Sequence, residues 1–269
     1  MAALSSATLK LELPGVAFIT GGASGLGRGV ALAFAELGAR LAICDINIKG
    51  AEELAATINA KFPERAIAIR IDVSNEEQVA SAVEATVTRF GRLDYAINSA
   101  GLVVAGDAVE LIKDTATSDY ERTQSVDAKG IFLCMKYQIR QMLKQDVPNY
   151  PQASRGVIVN LASRASLEGV PRFGAYCAAK HAVLGLSRVA AVEHAPDNIR
   201  VIACCPGLVR TPGHVGAAKE VDDMLLSKMP MGRWGIPDEI TDGITFACST
   251  MASFMSGNTL KIDGGMAAC

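Results

Sequence analysis

Nothing in this chain of 269 residues gathers charge of one sign: lysine and arginine number 26, aspartate and glutamate 28, and the formal net charge is −2. Without a basic run there is no footprint for nucleic acid or for an anionic membrane surface. No apolar run approaches the ~20 residues that cross a bilayer as a helix. Residues 1–14 lack the basic start and apolar centre of a secretory signal, so the expectation is a cytoplasmic protein. The three histidines, His181, His194 and His214, have no metal-ligand spacing, and no metal is expected. Seven cysteines never fall in a Cys-x-x-Cys pair. Cys44, Cys204 and Cys205 sit in apolar runs and Cys177 in a helix, the pattern of reduced core packing rather than of disulfides. Repeats, low-complexity tracts and linkers are missing too, which leaves one domain over residues 1–269. With 50% hydrophobic residues it can bury a large core.

Against these absences stands one pair of residues. Tyr176 and Lys180 lie four apart in Gly174-Ala-Tyr-Cys-Ala-Ala-Lys180, which puts both on one face of a helix. A phenol titrates near pH ~10, and a neighbouring ammonium favours its ionised form. Such a phenol can exchange a proton with an alcohol or a carbonyl. Taken alone the pair reads as a solvated helix face; its company elsewhere in the chain decides otherwise.

Thr20-Gly-Gly-Ala-Ser-Gly-Leu-Gly27 follows a short apolar run, residues 15–20, and opens a helical run that ends at Gly38. Gly21, Gly25 and Gly27 therefore occupy a strand-to-helix turn, with Ser24 and Leu26 between them. There the backbone can approach a pyrophosphate, and the helix dipole favours the anion. A second strand, residues 39–45, ends in Asp45, followed by Ile46. A carboxylate about twenty residues past the glycines accepts ribose hydroxyls and repels a 2′-phosphate, so NAD is expected rather than NADP. Further strands are expected at 66–71, 93–98, 156–161, 199–204 and 259–262. Helices are expected at 76–90, 117–145, 172–193 and 237–250, with Ser74 or Asn75 capping the first of them. Strand-helix alternation implies an α/β fold: a Rossmann-type, doubly wound parallel sheet with helices on both faces. Ligands bind such sheets outside the carboxyl ends of the strands. Gly21, Asp45, Asp72, Asn98, Ser163 and Pro206 all stand at such ends.

From about residue 13 to 266 the chain resembles the short-chain dehydrogenase/reductase family. The glycine motif, Asp72 with Val73, Asn98-Ser-Ala-Gly101, Ser163 thirteen residues before Tyr176, Pro206-Gly-Leu-Val-Arg-Thr211 and the segment 257–265 all fall in family order. The resemblance implies that Asp72 and Val73 lie beside the adenine. It further implies that Asn98, Ala100, Gly101, Pro206, Gly207, Val209 and Thr211 border the cofactor. Ser163 is expected to orient the substrate oxygen, Tyr176 to exchange its proton, and Lys180 to hold the nicotinamide ribose. One position departs from the family pattern: Asp127, in Ser125-Val-Asp-Ala-Lys-Gly130, stands where asparagine is usual. An ionised aspartate accepts but cannot donate a hydrogen bond. Close to Lys180, it could pair with the ammonium and reduce its pull on Tyr176, a catalytic-site change that either alters the pH dependence or impairs the redox chemistry.

The segment 211–236 corresponds to the family's substrate lid. It carries Val215, Val221, Met224, Leu225, Leu226, Met229, Met231 and Trp234, and Leu167, Val170 and Phe173 could add apolar walls. These features suit a bulky apolar alcohol or ketone (terpenoid, steroid or polyketide-like). The expected activity is NAD-dependent interconversion of a secondary alcohol and a ketone. The alternative is a non-redox isomerase or cyclase on the same fold, which Asp127 keeps open. The family habit of pairing long helices between subunits leads us to expect a homotetramer, with a dimer as the fallback.

Overall fold

The computed structural model describes residues 11–102, 110–150, 152–211 and 226–268. Seven strands form one sheet in the order β3-β2-β1-β4-β5-β6-β7, every neighbouring pair parallel. They are β1 (Val16–Thr20), β2 (Arg40–Asp45), β3 (Ala66–Arg70), β4 (Tyr95–Asn98), β5 (Gly156–Leu161), β6 (Ile199–Pro206) and β7 (Thr259–Ile262). The helices that return the chain are α1 (Gly25–Glu36), α2 (Ile48–Lys61), α3 (Glu76–Phe90), α4 (Thr117–Thr123), α5 (Gly130–Met142), α6 (Gly174–His194) and α7 (Pro237–Cys248).

Side chains alternate along each strand, so the sheet feeds two cores. Ala17, Ile19, Val157 and Val159 face Val30, Phe34, Leu54 and Ile244 of α1, α2 and α7. Phe18 and Ile158 face Val79, Val83, Ile139 and Val183 of α3, α5 and α6. β1, β4, β5 and β6 are buried from end to end, which is why their sequences are mostly apolar; the polar exceptions, Thr20, Asn98, Asn160 and Arg200, are buried with them.

Three elements depart from the sequence expectation. Helix α2 was not anticipated, although Ala51, Leu54, Ala55 and Ile58 give it a buried stripe at helical spacing; Asn47 caps it by accepting the N–H of Gly50. The single helix expected over 117–145 is instead α4, a π-helical turn at Gln124–Lys129, and α5. Helix α6 begins at Gly174 rather than Arg172, whose φ of 72° is left-handed and outside any helix. Asn75, not Ser74, caps α3.

Candidate active site

Chain order runs outward from β1 through β2 to β3, then reverses to β4 on the other side. The carboxyl ends of β1 and β4 therefore diverge into loops that bound a crevice. Thr20, 1% exposed, ties the two ends together. Its Oγ1 accepts the N–H groups of Ser99 and Ala100, each at 3.1 Å. A cleft of about 680 Å³ opens over this junction, a size ordinary for a small-molecule site.

One end of the cleft is built by the glycine loop. Gly21 has φ 65° and Gly25 φ 52°, backbone that other residues adopt at a cost. A Cβ on Gly25 would meet nothing within 4 Å, so that backbone lies open to the cleft. Asp45, at the tip of β2, anchors the loop: its Oδ2 accepts the Ala23 N–H and its Oδ1 the Asn47 N–H, both at 2.9 Å. Two carboxylate oxygens retain capacity for further donors beyond these two bonds. Asp72 takes both the N–H and the hydroxyl of Ser74 on its Oδ1, at 2.9 and 2.7 Å.

The other end is built by β5, α6 and the π turn. Ser163, just beyond β5, caps a short 3₁₀ turn by accepting the Ala165 N–H at 3.1 Å. Capping occupies a lone pair and leaves the hydroxyl proton to donate, so the structural and the catalytic readings of this serine are compatible. Lys180 is 5% exposed. Its Nζ donates to the Leu161 carbonyl at 3.1 Å and lies 5.4 Å from the centre of the Tyr176 ring. Asp127, fully buried, lies with Oδ2 3.3 Å from that nitrogen. Burial by itself pulls the lysine pKa down; the Asp127 charge, then Tyr176, outweigh it, and the net shift is upward.

The cleft wall brings together Ser163, Tyr176, Lys180 and Asp127 with Gly21, Ser24, Gly25, Leu26, Asp45, Ile46, Asp72 and Val73. Ala100, Gly101, Pro206, Gly207, Val209 and Thr211 complete the anticipated set. Two anticipated residues are elsewhere. Gly27 does not line the cleft; its Cα faces the backbone of Gly21 and Gly22, where a Cβ would clash. Asn98 is fully buried beneath it, exchanging amide hydrogen bonds with Gln138 and donating to Asn160 at 2.8 Å. Sequence reasoning missed Arg122, Ser125 and Val126, which only the fold carries to the mouth from α4 and the π turn. Arg28, the cation closest to the loop in sequence, is not on the wall.

Of the apolar lid residues, Val215, Val221, Met224 and Leu225, like His214, lie outside the described residues. Met229 and Trp234 are not among the described residues that line the cleft. Met229 is buried beside Gly264, and Trp234 is buried with the Arg210 guanidinium 5.4 Å from its ring centre. Among the described residues no helix is long and apolar enough to cross a membrane.

An open glycine backbone, an acid at the tip of β2, and a lysine beside a tyrosine suit the phosphates, ribose and nicotinamide of a dinucleotide in turn. Comparison with known proteins points the same way. The family model described as enoyl-(acyl carrier protein) reductase matches residues 21–267. A short-chain dehydrogenase of Aspergillus ruber is 37% identical, with 95% of this chain and 97% of that protein covered. The 2,5-dichloro-2,5-cyclohexadiene-1,4-diol dehydrogenase of Sphingobium indicum is also 37% identical, over 93% of this chain and 96% of its own. Among solved structures, a 3-ketoacyl-(acyl-carrier-protein) reductase from Brucella melitensis, complexed with NADH, superposes with a TM-score of 0.83 at 32% identity. It covers 96% of this chain and 99% of its own. With the matches spanning nearly its whole length, this chain belongs to the short-chain dehydrogenase/reductase family, oxidoreductases that work with a nicotinamide cofactor.

Proposed function

We propose that the protein interconverts a secondary alcohol and a ketone on an apolar small molecule, with NAD as its cofactor. One observation carries the reading: Ser163, Tyr176 and Lys180 share one wall of the cleft whose far end is the glycine loop and Asp45. A dinucleotide laid along that cleft has its phosphates at the N-terminus of α1 and its nicotinamide end beside Tyr176.

The bound nicotinamide supplies or takes up the hydride; the chain supplies position and protons. The Ser163 hydroxyl donates to the substrate oxygen and holds it within reach of Tyr176. The Tyr176 hydroxyl gives a proton to that oxygen in ketone reduction and removes one in alcohol oxidation. Lys180, anchored to the Leu161 carbonyl, keeps a positive charge next to the phenol and offers N–H donors to the ribose. Asp45 favours NAD, since its carboxylate accepts ribose hydroxyls and repels a 2′-phosphate. The diol dehydrogenase among the relatives is consistent with an alcohol as substrate. Leu167, Val170 and Phe173 are not among the residues lining the cleft; a hydrophobic body for the substrate is proposed from the apolar sequence of the lid, whose Val215, Val221, Met224 and Leu225 lie outside the described residues.

Assembly as a homotetramer is part of the same reading. On α6, Val189 and Val192 are 55% and 77% exposed, apolar area that a second subunit would cover. A cytoplasmic location is the proposed setting.

The experiment is direct. Purified protein incubated with NAD and a panel of apolar secondary alcohols should raise the absorbance of reduced nicotinamide. No change with any alcohol, and none with the matching ketones and NADH, would remove the reading.

A further inference from the structure

We propose that Asp127 is a positioning residue that fixes the Lys180 ammonium from beneath the cleft and thereby sets the pH range over which the site works. The inference rests on the proposed redox role of Tyr176 and Lys180 and adds a group that acts through the lysine.

The geometry is particular. Asp127 sits in the π turn between α4 and α5. A π turn inserts an extra residue into a helix and redirects the side chains around it, and such turns gather at functional sites. Here the turn carries a carboxylate into a fully buried position. One oxygen, Oδ1, accepts the Leu102 N–H at 2.8 Å. The other, Oδ2, has no aligned hydrogen-bond donor, yet lies 3.3 Å from Lys180 Nζ. The contact is thus one of charge rather than of a well-aligned hydrogen bond. Gly101 keeps the space open: a Cβ there would approach Asp127 Oδ2 to 3.3 Å and Lys180 Nζ to 3.5 Å.

Lys180 is in consequence held from two directions. The Leu161 carbonyl at the end of β5 takes one N–H, and the Asp127 carboxylate takes the charge. An ammonium has three donors, so at least one is left for the cleft. Because Asp127 also grips Leu102, the lysine and the loop after β4 are set relative to each other before any ligand arrives.

A buried ammonium without a counter-ion tends to lose its proton. The groups facing Lys180 are Asp127 from the π turn, Tyr176 from its own helix, and Cys205 from β6. Burial pushes the Cys205 thiol up to about 11, with Arg188 and Lys180 pulling weakly the other way, so this thiol is uncharged across the working range. Asp127 is therefore the one carboxylate among them that keeps Lys180 protonated. Removing its charge takes away the largest opposition to desolvation and leaves only Tyr176 and Cys205 against it, so the ammonium is lost at a lower pH than in the parent. The alkaline limb of activity must move down with it.

Asp127→Asn keeps the shape and an acceptor for Leu102 while deleting the charge. Its pH–rate profile for alcohol oxidation should shift at least about one unit toward acid, while NADH affinity near neutrality changes less than about threefold. Asp127→Leu removes the Leu102 anchor as well and should weaken NADH binding by tenfold or more. A readout free of turnover is the Lys180 resonance in ¹³Cε-lysine-labelled protein, assigned by its loss in Lys180→Met. In the parent it should titrate above the exposed lysines, and in Asp127→Asn at lower pH than in the parent. If Asp127→Asn fails to fold, the parent titration alone decides: a Lys180 midpoint below those of exposed lysines overturns the proposal. It is equally overturned by an Asp127→Asn protein whose Lys180 titration is unchanged. Should the resonance move as expected while no alcohol is oxidised by the parent, the redox reading falls and the positioning role stands.

Discussion

Gly21 and Ala100 approach so closely across the switch point that a Cβ built on Gly21 would sit 2.9 Å from both the N and the Cα of Ala100. The loops after β1 and β4 are thus in backbone-to-backbone contact, and no flexible side chain is present to yield. Gly21→Ala also places a side chain at φ 65°, which adds roughly 1 kcal/mol or more of strain. The expected outcome is a protein whose glycine loop is displaced, with NADH affinity down more than tenfold and a lower melting temperature. Gly25→Ala shares the left-handed strain, with φ 52°, but differs in that its Cβ enters open space. It should melt within a few degrees of the parent and still lose cofactor affinity, since the new methyl projects where the backbone lies open. Calorimetric titration beside thermal melting separates the two; equal melting losses would refute the distinction.

The Asp45 carboxylate has two tasks, and they make opposite demands on a substitution. It anchors the Ala23 and Asn47 N–H groups, and in the proposed function it selects against a 2′-phosphate. In the parent, NADH should bind at least tenfold tighter than NADPH, ~1.4 kcal/mol. Asp45→Asn keeps an acceptor oxygen and drops the charge, so the gap should narrow mainly through tighter NADPH. Among the described residues, Arg122 and Lys180 are the cations on the same cleft wall, and with Lys180 held by Asp127 and Leu161, Arg122 is the one to test against the phosphate. Asp45→Asn combined with Arg122→Gln should restore part of the gap. Equal affinities for the two cofactors in the parent would sink the assignment.

These two residues also show how far the sequence was legible. Gly21 and Asp45 could be found because a strand-to-helix turn and a strand tip leave a local signature of glycine spacing and a terminal acid. The buried strands were equally plain, since β1, β4, β5 and β6 are apolar but for Thr20, Asn98, Asn160 and Arg200. What was not legible depends on the third dimension. The π turn has no composition of its own, and it broke a helix that periodicity had drawn as continuous. Arg122 reaches the cleft only because α4 packs against α6 and the π turn. Asn98 looked like a ligand-facing residue by its place after β4, yet its amide is committed to Gln138 and Asn160. Met229 and Trp234 looked like pocket walls by hydrophobicity, yet Met229 packs beside Gly264 and Trp234 beside Arg210. Hydrophobicity tells that a side chain will be covered; only the fold tells by what.

The exposed end of α6 carries a prediction about assembly. Val183 is buried in the chain's own core while Val189 and Val192 stand outside it. A charged group placed among them would be stranded in a subunit contact at a cost of several kcal/mol, yet on a free surface it would cost almost nothing. Light scattering of the parent at micromolar concentration should give four times the chain mass. Val192→Glu, with or without Val189→Glu, should give a smaller species of unchanged fold by circular dichroism. A parent that runs as a stable monomer, or a double variant still tetrameric, would refute the placement of the interface.

Tyr176 carries the sharpest test of the chemistry. Tyr176→Phe keeps the ring beside Lys180, whose ammonium lies 5.4 Å from the ring centre, and removes only the hydroxyl. Cofactor affinity should survive within a few-fold, because the phosphate loop and Asp45 are untouched. The rate of the redox step should fall by ~10²-fold or more, the usual scale for losing a positioned acid or base. Lys180→Ala should differ in kind: it deletes the charge and the ribose donor together and leaves Asp127 buried without its counter-ion, so affinity, rate and stability should all drop. Ser163→Ala should lower the rate with little effect on affinity, and it also removes the cap on the Ala165 N–H, worth about 1 kcal/mol of stability. The pattern that would overturn the scheme is a Tyr176→Phe protein that still converts its substrate while nicotinamide is neither oxidised nor reduced. The fold would then be serving an isomerisation or cyclisation, with proton transfer resting on another group of the cleft.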